Sequence, residues 1–176
     1  MSGHSKWAQI KRQKGVEDAK KSKLFGKLGS LIATESKKTK GDMNAPGLRT
    51  IIEKAKKENM PKDTIERAVK KGAGGDVEQM EALTYEGYGP GGCALIIEAF
   101  TGNRNKAAQE IKHILAKNGG SLAAQGAASW AFTKGEEGWL PNSTIPLSDA
   151  DGAILSTLIE ELENNDEVQD AYTNAE

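Results

Sequence analysis

Tyr85-Glu86-Gly87-Tyr88-Gly89-Pro90-Gly91-Gly92 divides this 176-residue chain into two halves of different character. Before it the sequence is basic and has helical periodicity; after it the sequence turns acidic and strand-like. Gly87-x-Gly89-x-x-Gly92 has the spacing of a dinucleotide-binding fingerprint, which works only where a helix comes next and offers its N-terminus to the pyrophosphate. The next residues are instead Cys93-Ala-Leu-Ile-Ile-Glu-Ala-Phe100, apolar and rich in β-branched side chains, which is strand sequence. The stretch therefore predicts a hairpin connection. Pro90 sets one φ, and Gly87, Gly89, Gly91 and Gly92 are the turn glycines that supply positive φ. Neither a nucleotide site nor any other cofactor is expected.

The chain carries 24 Lys+Arg against 25 Asp+Glu, a net charge of −1. That balance hides a split. Residues 1–72 hold 19 of the basic and 8 of the acidic side chains, a balance of +11, whereas residues 73–176 hold 5 and 17, a balance of −12. A surface built only for solubility mixes signs, so the basic half points to a polyanion. Cys93 is the single cysteine, lies in strand sequence, and reads as a small buried hydrophobe. No apolar run is long enough to span a bilayer, and Met-Ser-Gly-His-Ser-Lys-Trp7 has no apolar segment of a signal peptide. A soluble, cytoplasmic protein without a membrane partner is expected.

Residues 2–15 carry Lys6, Lys11, Arg12 and Lys14 around Trp7. They read either as a solvated terminus or as an arm that orders on a nucleic-acid backbone while Trp7 stacks on a base. The cost of leaving an indole in water favours the arm. Three amphipathic helices come next. The first spans about Val16–Thr39, with Leu24, Leu28, Leu31 and Ile32 inward and Lys20, Lys23 and Lys27 on an adjacent face. The second starts at Pro46, with Leu48, Ile51, Ile52 and Ala55 inward and Arg49, Lys54, Lys56 and Lys57 outward. The third ends near Lys71, with Ile65, Ala68 and Val69 inward and Gly72 as the residue just past its C-terminus. Residues 1–76 thus form a basic helical domain with an N-terminal arm.

A glycine-rich, acidic linker leads into residues 77–176, an acidic α+β domain. Strands are expected at Leu83–Tyr88, Cys93–Phe100, Ala127–Thr133, Trp139–Leu147 and Val168–Tyr172. One helix runs from a cap at Asn103 or Asn105 to Asn118, with Ala108, Ile111 and Leu115 inward. Another is opened by Ser148-x-x-Asp151 and carries Glu160, Glu161 and Glu163 on its outer side. The order β-β-α-β-β-α-β predicts a ferredoxin-like layer, helices on one face of a mainly antiparallel sheet.

Catalytic chemistry is sparse. There is no phosphate-binding loop or nucleophile elbow, and His4, His113 and Cys93 make no metal set. Glu86 and Glu98 fall on paired strands and read as exposed acids. Asn103-Arg104-Asn105 comes after a central strand and is either a polar site or a set of helix caps. An enzyme with a small-molecule substrate is not expected.

Several stretches taken together resemble the YebC/PmpR family, relatives of the mitochondrial translational activator of cytochrome oxidase. They are Ser2-Gly-His-Ser-Lys-Trp7, Asn59-Met-Pro-Lys-Asp63 with Ile65-Glu-Arg-Ala68, Tyr85–Gly92, Asn103-Arg-Asn105 and Tyr172-x-Asn-Ala-Glu176. The resemblance implies a helical domain, a second α/β domain and a third inserted within the second. Here only Thr133–Gly138 intervene after Ser129-Trp-Ala-Phe132, so the third lobe is expected to be absent. It also implies a non-enzymatic regulator of gene expression, either a DNA-binding transcriptional regulator or a ribosome-associated factor that helps translation through proline runs. The basic half is lysine-rich, with only Arg12, Arg49 and Arg67, which suits backbone binding over base readout. Ribosomal RNA or the large ribosomal subunit is therefore favoured over duplex DNA. A third alternative is a protein-interaction module using the acidic helix 148–164. The target mRNA or promoter and the oligomeric state are not legible.

Overall fold

The computed structural model describes residues 18–75, 79–136 and 138–176. The chain divides into two units, one ending at Met80 and the other running over Glu81–Glu176. The expected domain boundary at residues 76–77 lies outside the described residues. Among the described residues there are five α-helices and a mainly antiparallel sheet, so the fold is α+β.

The helical unit contains α1 (Asp18–Thr39), α2 (Pro46–Lys57) and α3 (Lys62–Ala73). Pro46 opens α2 where no intrahelical N–H is needed. The apolar periodicity buries as expected: Leu28, Ile32, Leu48, Ile52, Ala55, Ile65 and Val69 form the core, with Leu24, Leu31, Ile51 and Ala68 partly buried against it. Each fully buried Leu, Ile or Val contributes on the order of 1.5–3 kcal/mol of apolar transfer free energy. Two helix ends close by the same device, a left-handed residue followed by an N–H returning five residues. Lys40 (φ 53°) precedes the bond from Gly41 N–H to the Ser36 carbonyl at 3.0 Å. Asn59 (φ 63°) precedes the bond from Met60 N–H to the Ala55 carbonyl at 3.0 Å, and Met60 then enters the core.

Gly72 is not the residue past a helix end. It lies inside α3, buried, where a Cβ would collide with the Ala33 carbonyl oxygen and come within 2.6 Å of Ser36 Cβ. Ser36 Oγ donates to the Val69 carbonyl at 2.6 Å across the same seam. Small residues let α1 and α3 approach backbone to backbone there, a role that helical periodicity does not reveal.

The second unit is built on β1 (Glu81–Tyr88) and β2 (Ala94–Thr101), paired antiparallel from Glu81 opposite Thr101 to Tyr88 opposite Ala94. The connection is the expected turn. Gly89 N–H donates to the Cys93 carbonyl at 2.8 Å, Pro90 opens a single 3-10 turn, and Gly91 and Gly92 take φ of 70° and 79°. Two of the four expected turn glycines act otherwise. Gly87 is a β1 residue whose Cβ would lie 2.7 Å from the Ser121 carbonyl oxygen, and Gly89 (φ −112°) leaves room for Cys93 Sγ. Both are glycine because a neighbour approaches closely.

The sheet order is β3-β1-β2-β6, antiparallel throughout, where β3 is Ser121–Ala123 and β6 is Val168–Thr173. As expected, β2 is central and buried on both faces. Its Leu95, Ile97 and Ala99 side, with Cys93 just before the strand, packs against α4 (Arg104–Lys117) through Ile111 and Leu115, and against α5 (Asp149–Asn164) through Leu155, Leu158 and Leu162. Burial pushes the Cys93 thiol up, in keeping with an inert core cysteine. Inward on α4 is Ala107 rather than Ala108.

The other face of β2 departs from expectation. Ala127–Thr133 is mostly turn and 3-10 helix (Ser129–Ala131), and strand geometry is confined to β4 (Phe132–Gly135). Trp139–Leu147 is strand only within β5 (Gly138–Pro141), where Pro141 offers no N–H to extend the ladder. β4 and β5 pair with each other and not with the main sheet. Together with the preceding loop they cover Ala94 and Ile96, using Ala128, Ala131, Phe132 and Trp139. The place beside β1 is taken by β3, a strand of three residues that is too short to show a period.

Candidate nucleic-acid interface

The described basic residues of the expected polyanion surface lie on the helical unit. α2 ends in Lys54, Lys56 and Lys57, all exposed, with no acid in its first turn. None of the three forms an ion pair among the described residues. α3 ends in exposed Lys70 and Lys71. Cations in a last turn complement the helix dipole and leave the ammonium groups outward. Other charges are neutralised locally: Arg49 bridges Glu53 at 3.3 Å, Lys38 bridges Glu35 at 3.2 Å and Lys62 reaches Glu66 at 3.8 Å. Of the residues read as phosphate contacts, Lys54 and Lys57 are exposed and unpaired, Arg49 is exposed but paired, and Lys23 is half-buried. Lys27 is a correction: it is buried, because the face of α1 that carries it is not a solvent face. Lys6, Trp7, Lys11, Arg12, Lys14 and the side chain of Lys20 lie outside the described residues.

Several residues of the stretches that carry the family resemblance hold the architecture together. Asn59-Met60-Pro61 makes the α2–α3 corner, with Pro61 as the residue before α3. Glu86, read as an exposed acid, is buried. Its Oε2 accepts Gly126 N–H at 2.6 Å, and its Oε1 accepts Ala128 N–H at 3.0 Å and Ser129 N–H at 2.6 Å. Burial alone would push Glu86 up; the three N–H donors together with the Ser129 side chain outweigh it and hold the carboxyl below the ordinary carboxylate range. Tyr88 adds a hydroxyl bond to the Ala127 carbonyl. Near the C-terminus, Asn174 is buried, accepts Ala94 N–H at 2.8 Å and donates to the Ser143 carbonyl at 3.2 Å. Glu98 stays half-exposed and accepts the Trp139 indole N–H at 3.0 Å.

Asn103-Arg104-Asn105 contains one helix cap and one ion pair. Asn103 is the N-cap of α4, its Oδ1 accepting Lys106 N–H at 3.1 Å. Arg104 forks onto Glu81, Nε to Oε1 at 3.0 Å and a terminal nitrogen to Oε2 at 2.8 Å. Asn105 is exposed. On α5, Glu161 is engaged by the Asn118 amide at 2.9 Å and Lys117 at 3.1 Å, and those hydrogen bonds hold its carboxyl below the usual range. The acidic helix is therefore partly satisfied within its own unit. Among the described residues no cluster of His, Cys, Asp or Glu could hold a metal ion.

A basic three-helix unit followed by an α+β unit is the architecture of the described residues. The chain belongs to the TACO1/YebC family. Residues 5–75 match the family's N-terminal domain and residues 80–136 its second and third domain, the match ending in the turn between β4 and β5. It is 46% identical over 173 residues to a "probable transcriptional regulatory protein" of Fervidobacterium nodosum, covering 96% of this chain and 68% of that protein. A protein of the same name from Halothermothrix orenii is 51% identical over 138 residues, covering 76% of this chain and 54% of the relative. The chain thus spans about half to two thirds of the length of these relatives. One from Thermosipho africanus is 35% identical over 238 positions, covering 100% of this chain and 94% of its own. A crystal structure of a conserved hypothetical protein from Aquifex aeolicus superposes with a TM-score of 0.77 at 31% identity, covering 90% of this chain and 91% of that one.

Proposed function

We propose that this chain is a non-enzymatic, nucleic-acid-binding regulator of gene expression, and that it works in the cytoplasm as a ribosome-associated translation factor. The observation that carries the reading is the unpaired, exposed lysine set at the ends of α2 and α3 within a half of the chain whose balance is +11. Lysines are point charges suited to phosphates, whereas base-edge readout would call for arginine, asparagine or glutamine presented on one helix. Lys54 and Lys57 are assigned to phosphate contacts, with Arg49 joining if it releases Glu53. Lys6, Trp7, Lys11, Arg12, Lys14, Lys20 and Lys23 are assigned from the sequence alone. The test is sedimentation of the tagged protein from a gentle lysate through a sucrose gradient. Comigration with the large ribosomal subunit, lost when residues 2–14 are deleted, is the expected result. A protein that stays at the top of the gradient sinks the ribosomal reading.

A second reading is a DNA-binding transcriptional regulator, which is what the names of the relatives favour. It requires one promoter duplex to be bound more tightly than random duplex of equal length at the same salt. Equal affinity for both would rule it out.

A further inference from the structure

The helical unit contains a cleft of about 600 Å³, within the range of roughly 300–1,000 Å³ typical of small-molecule and cofactor sites. Its floor on α1 is Gly26, Gly29 and Ala33, and apolar walls come from Phe25 and from Met60, which is buried. Lys71 stands on it and is exposed, and Arg67 hydrogen-bonds the hydroxyl of Thr64, another lining residue, at 3.4 Å. None of the described residues lining it is a carboxylate.

The two α1 glycines are the informative part. Glycine inside a helix is unfavourable, and here no steric demand explains it. A Cβ at Gly26 would meet nothing within 4 Å, and one at Gly29 only Met60 Cε at 3.9 Å. Gly72, by contrast, is enforced by the Ala33 carbonyl. Gly26 and Gly29 cost helix stability and are not needed for packing, which is the pattern of a floor kept bare for something flat to approach the backbone.

Flat, apolar on its faces and tethered to negative charge describes a nucleobase on its phosphate backbone. We propose that this cleft receives an unstacked base of a single strand, stacked beside Phe25 and Met60 over Gly26 and Gly29, while Lys71 meets the adjoining phosphate. The inference rests on the nucleic-acid-binding reading and assigns that surface a base site in addition to its phosphate contacts.

The experiment uses the full chain and two probes, a short labelled oligouridylate and inorganic polyphosphate of similar charge, the second having no bases. Gly29→Leu fills the cleft. Gly26→Leu, whose side chain starts in open space, serves as the second variant should the first fail to fold, with thermal melting as the check on both. The expected result is an oligouridylate affinity lowered about tenfold, the size of one lost stack, with polyphosphate affinity unchanged. A matched deoxyoligonucleotide should lose the same factor, since the site reads a base and not a ribose hydroxyl. A folded variant that binds oligouridylate as tightly as the parent overturns the cleft proposal and leaves the proposed function standing. A parent chain that binds neither oligouridylate nor polyphosphate overturns both.

Discussion

Ser129 donates its backbone N–H to Glu86 Oε1 at 2.6 Å, joining residues 43 apart in sequence. With Gly126 and Ala128 it makes Glu86 the peg on which the loop before β4 hangs. That loop covers the sheet face opposite the helices, so one carboxylate on β1 determines how the second side of the sheet is closed.

Replacing Glu86 by Gln sets an NH₂ donor against backbone N–H donors and removes the charge that all three bonds use. The expected loss is about 2 kcal/mol in the unfolding free energy of the α+β unit, as for a buried charge-assisted hydrogen bond. Urea unfolding followed by Trp fluorescence would measure it, and a midpoint unchanged from the parent would contradict the role given to Glu86.

The same group makes an acid-limb prediction. Its folded carboxyl is held below the ordinary range, so its stabilisation is complete above the unfolded value of about 4.3 and is lost as pH falls through the lower folded value. Glu86→Gln should therefore show a flatter decline in stability than the parent as pH drops below that range. Parallel acid limbs would contradict this.

Glycines of one helical unit should respond in opposite directions. Gly72→Ala forces α1 and α3 apart and should cost about 2–3 kcal/mol through overpacking. Gly26→Ala adds a methyl in open space and should gain up to about 1 kcal/mol from helix propensity. Circular dichroism melts of the full chain would rank the two, and equal shifts would contradict the close seam between α1 and α3.

For the polar trio, Asn103→Ala should cost about 1 kcal/mol as a lost N-cap, whereas Arg104→Ala should leave stability unchanged within error, its partner Glu81 being exposed. Neither should alter RNA affinity. A selective loss of binding with Arg104→Ala would show that the trio is a site and not a cap.

Phosphate contacts predict a steep fall in affinity with salt. Substituting Lys54 or Lys57 by Gln should reduce the slope of log affinity against log salt by about 0.7 each for single-stranded RNA. Slopes equal to the parent's would remove these lysines from the interface.

The helical half was open to reading because its information is local. Apolar residues at helical spacing, Pro46 at a first turn and the sign of the lysines are all set within a few residues, and Leu28, Ile52 and Val69 bury where the period puts them. β2 was equally plain, since a strand apolar on both sides has to be central. The rest depends on partners far along the chain. Glu86 looks like a hairpin acid until residues 126–129 fold over it, and Gly72 looks like a helix stop until Ala33 lies against it. Lys27 looks like a surface charge until α1 is packed. Periodicity tells a side chain which face it is on; only the packed neighbours tell it whether that face meets water, a carbonyl oxygen or an open cleft.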